Sequence, residues 1–397
     1  MRILVFNSGS SSLKFELFEG TAGDALTSLA RGAISAFGAR AHCVWTISGA
    51  DRQVQADIHT HRDAALWVLD TLQSTMNGAV SAVGHRIVHG GDAFSAPLRI
   101  TDDALAALAQ LTRLAPLHNP PGIEVIEAAR LRLGVGAPMV AVFDTAFFRN
   151  LPDYVSRYAL PAEWTRAFGI KRYGFHGIAH RYLSERYAEL HPAARDTARV
   201  ITLQLGQGCS IAALRGATPL ETSMGFTPLE GLIMATRPGD VDAGALLHVL
   251  EAGGLNHAQL QEGLNRRAGL LGLSDVSADM RELLRMEEQG HDGARLAVQA
   301  FCHRARKYLG AYLAALGGAD AVIFGGGIGE HAWQIRERIC AGMEWCGLIL
   351  DKAANAAAHS AEQRISAEGS AMEIYVLPVN EELVIARDTL NLLVNGG

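Results

Sequence analysis

Two arginines in this chain stand beside turn-forming residues. Arg86 lies in "AVGHRIVHGGD" and Arg237 in "GFTPLEGLIMATRPGDVDAG". A guanidinium presented at such a turn can fork onto a carboxylate or a phosphate, although for Arg86 the motif alone allows a surface ion pair equally well. His176, between Gly174 and Gly177 in "KRYGFHGIAHRYL", precedes a helical pattern and is placed to contact an anion. Asp144 closes the apolar run "APMVAVFD", and Glu381 opens the tail "EELVIARDTLNLL". Glycine-rich tips at "NSGSSS", "LGQGC" and "GGGIGE" would bring backbone N–H groups close to phosphate oxygens. Cations for a group in transit, carboxylates for a divalent ion and amides for a donor tail are what phosphoryl transfer requires. The chain has no GxxxxGK[ST], and "GGGIGE" lacks the full GxGxxG pattern.

The other histidines carry less. His85 and His89 could ligate a metal only on a helix, and Ile87, Val88 and the flanking glycines favour a strand and turn. They read as core or loop residues. His180 follows His176 at helical spacing, but no acidic partner in that motif supports a zinc pair.

These groups must be held by strands and helices. Ala65, Leu66, Leu69, Leu72 and Met76 recur at helical spacing over 62–76, and Thr101 caps a second helix that should end before Pro120 and Pro121. "APMVAVFDTAFF" reads as a buried strand, "ADAVIFGGGIGEHA" as a strand, a glycine turn and a helix from about Glu330. The strand, tip and strand at 199–216 mirror those at the start of the chain, a weak internal repeat. The expectation is an α/β protein whose two related domains face a shared cleft. The break at "RNLPDY" places them at 1–149 plus 381–397 and at 150–380.

Bulk properties narrow the field. A net charge of −6 with thinly spread Lys and Arg argues against a nucleic-acid partner. The five cysteines are odd in number and lack CxxC spacing, which points to a reducing compartment. Met1 leads into a strand without a basic leader, and no long apolar run suggests a membrane segment. A cytoplasmic protein without a membrane or nucleic-acid partner is expected.

From Asn7 to Glu382 the chain resembles the acetate kinase family, within the actin, sugar kinase and Hsp70-like ATPase superfold. "NSGSSSLKF", "GHRIVHGG", "PLHNPP", "FDTAF", "RYGFHG", "MATRPGD", "SADMR", "GGGIGE" and "NEELVIARD" carry the resemblance in order. It implies a duplicated ribonuclease H-like fold, a homodimer, and phosphoryl transfer from ATP to acetate with Mg²⁺, Mn²⁺ being a substitute. Asn7 and Glu381 would organise the metal, and Ser10, Ser12 and Lys14 would lie near the donor phosphates. Arg86 and Arg237 would clamp the carboxylate and the phosphoryl group, His176 would donate a hydrogen bond supported by His118, and Asp144 would orient. Val88, Leu117, Phe175 and Pro228 would line a methyl pocket. Gln204, Gly206, Gln207, Gly208, Asp279, Met280, Arg281, Gly327, Ile328, Gly329, Glu330 and His331 would serve the nucleotide. Gln204 and Gln207 replace the family's histidine and asparagine, and Cys209 its alanine. A kinase for propionate or another short acid is the alternative, and an actin- or Hsp70-like ATPase with a protein partner is a more distant one.

Overall fold

The structure is a computed structural model that describes residues 1–397 except 10, 11, 22, 24, 77, 360, 396 and 397. The chain divides into two compact units, Met1–Arg149 with Asn380–Gly397, and Asn150–Val379. Each is built on one mixed sheet.

The first unit holds β1 (Arg2–Ser8), β2 (Ser12–Glu19), β3 (Thr27–Ser35), β4 (Gly38–Ile47), β5 (Ala50–Ile58), β6 (Ala82–Ile87), β7 (Leu98–Arg99) and β8 (Met139–Phe143). They lie side by side in the order β5-β4-β3-β2-β1-β6-β8-β7. Ile3, Leu4, Val5 and Phe6 are all fully buried, so β1 has core on both faces and is continuously apolar. β5, at the edge, is mostly exposed and polar.

The second unit holds β9 (Arg199–Leu205), β10 (Cys209–Arg215), β11 (Thr218–Thr222), β12 (Ala321–Gly325), β13 (Gln363–Arg364) and β14 (Glu373–Val376), ordered β11-β10-β9-β12-β14-β13. In both sheets a central strand has antiparallel neighbours on one side and two parallel neighbours on the other, with a short antiparallel strand beyond them. The internal repeat in the sequence is therefore a repeat of topology, and the expected duplicated α/β fold is present.

The helix His61–Thr75 begins in a capping box between Thr60 and Asp63. Thr101 caps Asp102–Gln110 as its spacing predicts. Pro120 and Pro121 do not stop that helix, which ends well before them at Gln110; they open the next one, Asn119–Leu133, where the missing N–H is no loss. The helix expected from Glu330 instead starts at Gly326, directly on the end of β12. The tail forms the helix Glu381–Asn395, which packs on β1, β6 and β8. Its approach requires Gly84, where a Cβ would lie 2.6 Å from Thr389 Oγ1 and 2.8 Å from Ile385 Cγ2.

Candidate active site

In the first unit, parallel pairing of β6 with β8 sets Arg86 beside Val142 and brings Asp144, just past the end of β8, onto the guanidinium. Arg86 Nη2 and Nε donate to the same Asp144 oxygen at 2.5 and 3.1 Å, and Arg86 Nη1 donates to Asn7 Oδ1 at 2.9 Å. The pair is buried, with Asp144 at 0% exposure, so it is not the surface ion pair that the motif alone allowed. Burial pulls the Arg86 pKa down, but Asp144, Glu381 and Glu382 outweigh it and hold the guanidinium firmly charged.

Asn7 ties the cluster to the C-terminal helix. Its amide nitrogen donates to Glu381 Oε2 at 2.7 Å and to Glu382 Oε1 at 2.8 Å. With that nitrogen on the carboxylates and its oxygen on Arg86, Asn7 orients the acidic pair. The oxygens of Glu381 and Glu382 are hard donors of the kind Mg²⁺ takes. Among the described residues no group of three or more His, Cys, Asp or Glu side chains forms a cation cage. Glu382 escaped the sequence reading, although its adjacency to Glu381 was the available signal.

Around this cluster, Asn119 exchanges hydrogen bonds of 3.0 Å with the backbone N–H and C=O of His89. That pins the turn after β6 and assigns the asparagine of "PLHNPP" a purpose the sequence did not disclose. His118 precedes the helix Asn119–Leu133, Val88 is 9% exposed and Leu117 is half-buried. Lys14 is exposed and paired in register with Asn7; Ser12 opens β2, and Ser10 lies outside the described residues.

The second unit carries a different set. His176 caps the helix Gly177–Leu190 in the left-handed region, at φ 57° and ψ 26°, an unusual backbone for a residue with a side chain. Its Nδ1 lies 2.8 Å from Ser210 Oγ, which lies 2.8 Å from His180 Nε2, whose Nδ1 is 2.7 Å from Thr202 Oγ1. His180 thus joins a hydrogen-bonded chain between helix and sheet. Arg237 Nη1 donates to the Pro228 carbonyl at 2.7 Å. A Cβ at Gly208 would fall 2.7 Å from Arg237 Nη2 and 3.1 Å from Cε1 and Nε2 of His176, so both side chains close on that glycine.

The tip between β9 and β10 is held by Gly206 N–H donating to Gly208 O at 3.1 Å and by Ala235 N–H donating to Gln207 O at 3.0 Å. Cys209 donates its thiol to Gly206 O, and burial pushes that thiol up to about 12, so it is a neutral packing group. Gln204 Oε1 is buried with no hydrogen-bond partner among the described residues. After β12, Glu330 Oε1 accepts from Gly326 N at 2.9 Å and Val379 N at 3.1 Å, which makes it a brace for the glycine turn. Gly327 and His331 are exposed, Ile328 is half-buried and Gly329 buried. Asp279 caps the helix Met280–Glu288 and pairs with exposed Arg281, while Met280 is buried. Phe175 and Pro228 are buried apolar side chains of this unit.

A duplicated α/β fold with a buried arginine–carboxylate cluster in one unit and a glycine-rich tip in the other defines a phosphotransferase of the kinase type. The chain belongs to the acetokinase family, whose profile matches residues 2–387. It is 45% identical to an acetate kinase of Solibacter usitatus over 99% of this chain and 98% of that one. It is 42% identical to an acetate kinase of Bacteroides thetaiotaomicron over 99% and 100%. The crystal structure of Porphyromonas gingivalis acetate kinase superposes with a TM-score of 0.89 at 40% identity, covering 99% of both chains. A propionate kinase from Francisella tularensis gives 0.90 at 35% identity, covering 98% of this chain and 99% of that one.

Proposed function

We propose that this kinase transfers the γ-phosphoryl group of ATP to acetate, reversibly, giving acetyl phosphate and ADP. The observation that supports it most is the Arg86–Asp144–Asn7–Glu381 cluster, standing in a chain whose curated relatives are acetate kinases. In this reading Arg86, already oriented by Asp144, takes the anionic end of the acceptor. Acetate reacts as the carboxylate and needs no base, so Asp144 works as an orienting group. Arg237 and His176 Nε2 meet the phosphoryl group in transit, and the backbone of Gly206–Gly208 meets the donor phosphates. Glu381 and Glu382 would hold Mg²⁺, which neutralises phosphate charge when bound. Val88, Leu117, Phe175 and Pro228 receive the methyl group, and Asp279, Arg281, Gly327 and Ile328 serve the nucleotide.

The propionate kinase at a TM-score of 0.90 favours a second acid as a substrate. An added methylene in an apolar pocket changes discrimination by only about 1–3 kcal/mol, so propionate should react more slowly than acetate. Hydroxylamine trapping with Mg-ATP and each acid in parallel decides between them. Acetate-dependent hydroxamate exceeding that from propionate is expected; the reverse order would reassign the substrate, and no hydroxamate from either would end the reading.

A homodimer and a cytoplasmic location belong to the same proposal. Tyr154, Trp164 and Phe168, at 88%, 51% and 67% exposure, are large exposed side chains of the kind a second copy would cover. Five free thiols suit a reducing compartment. Among the described residues no helix is long and apolar enough to cross a membrane. A solution mass of 42.4 kDa, that of one chain, would exclude the dimer.

A further inference from the structure

We propose that Thr202, His180 and Ser210 form a relay that fixes His176 as a neutral imidazole with its proton on Nε2. The inference deepens the role assigned to His176 in the proposed transfer, and it follows from counting protons along the chain of hydrogen bonds.

Ser210 is fully buried and its hydroxyl has two partners, His176 Nδ1 and His180 Nε2, each at 2.8 Å. One hydroxyl proton can serve only one of them. The ring nitrogen that does not receive it must itself donate to Oγ. The tautomers of the two histidines are therefore locked together, and the chain can run in either of two directions.

Thr202 chooses the direction. It too is fully buried, and its hydroxyl meets His180 Nδ1 at 2.7 Å. Were Nδ1–H of His180 to donate to Thr202, the threonine's own proton would be left buried with no acceptor among the described residues, the costly arrangement for a polar group. The favourable direction has Thr202 donating to His180 Nδ1, His180 Nε2–H donating to Ser210, and Ser210 donating to His176 Nδ1. His176 is left with its hydrogen on Nε2.

That is the edge of the ring that closes on Gly208 beside Arg237 Nη2. A neutral Nε2–H there donates to a phosphoryl oxygen without setting a second positive charge against the guanidinium. The same logic explains the left-handed backbone of His176: the strain is held because Ser210 and the start of the helix Gly177–Leu190 fix the ring from behind. Thr202, His180 and Ser210 are positioning residues, acting through His176.

Two measurements test the relay. Long-range ¹H–¹⁵N correlation on protein carrying ¹⁵N-histidine reads which ring nitrogen is protonated; His176 is assigned by the signals lost in His176→Gln, and no turnover is needed. The expected result is a protonated Nε2 and a bare Nδ1. A His176 protonated on Nδ1 alone, or on both nitrogens at neutral pH, overturns the proposal. In turnover, Thr202→Val should lower kcat by about 10- to 100-fold with acetate KM within about twofold, and Thr202→Ser should restore it. Unchanged kcat in Thr202→Val, or a Thr202→Ser variant equally slow, also overturns it. If the wild-type protein makes no hydroxamate from any acid, the proposed reaction fails, and the nitrogen assignment still decides the relay.

Discussion

β6 of the first unit and β12 of the second occupy the same place in their sheets, each parallel to the central strand, yet one carries Arg86 near its end and the other runs into Gly325, Gly326 and Gly327. The same holds elsewhere. The first unit collects full charges, Arg86, Asp144, Glu381 and Glu382, knitted by Asn7. The second collects imidazole and hydroxyl groups, His176, Ser210 and His180, with Arg237 and glycine backbone. A strand order fixes where groups can stand and says nothing of what they are. Duplication supplied one scaffold, and substitution at equivalent strand ends made one unit a charge cluster and the other a set of backbone and imidazole donors.

The comparison breaks most visibly at the two arginines. Arg86→Ala should cut kcat by about 10³-fold or more and also lower stability by about 3–5 kcal/mol, because Asp144 would remain buried without its counter-charge. Arg86→Ala with Asp144→Ala together should regain much of the stability and none of the activity. Thermal melts beside hydroxamate rates check this, and a single variant as stable as the parent would show that the pair is not a buried one in solution. Arg237→Ala, whose Nη1 donates to the neutral Pro228 carbonyl, should lose about 10²–10³-fold in kcat. A kcat within about tenfold of the parent would remove Arg237 from the transfer.

A smaller effect comes from His85, on β6 next to Arg86. Its ring is 1% exposed, stacks on Phe6 at 5.9 Å, and burial lowers its pKa to about 3. The unfolded chain takes up a proton near pH 6.5 and the folded one does not. Stability from this residue is therefore complete above that pH and is lost as the pH falls toward 3. At pH 5 the loss is about 2 kcal/mol. His85→Phe should flatten the dependence between pH 6.5 and 5 in denaturant melts; an unchanged slope would assign the acid sensitivity to other groups.

Much of this was legible in the sequence. The apolar runs of β1, β8, β9 and β12 and the capped helices could be read because burial on both faces and end-capping leave local marks. Arg86, His176, Arg237 and Asp144 stood out because they adjoin turns or end apolar runs. What the sequence withheld was pairing. Arg86 meets Asp144, 58 residues on, only through the register of β6 and β8, and Ser210 meets two histidines only once β10 lies antiparallel to β9. The prolines of "PLHNPP" suit the opening of a helix as well as the stopping of one, and local chemistry could not choose. Asn119 and Glu382 went unnoticed because their roles are hydrogen bonds to partners set by the fold.

The smallest effect should come from the tip of the second unit. Gln207 is exposed, while its backbone carbonyl, held by Ala235 N–H, fixes the turn. A side-chain change there leaves that hydrogen bond intact. Gln207→Asn should thus shift the KM for ATP by less than about tenfold, because the shortened side chain is exposed and the bond that fixes the turn is kept, with kcat and melting temperature unchanged. Steady-state kinetics with ATP varied at saturating acetate check it. A collapse of kcat would mean that the Gln207 amide itself touches the group in transit, and the second unit's donors would then extend beyond His176 and Arg237 to the tip of the loop.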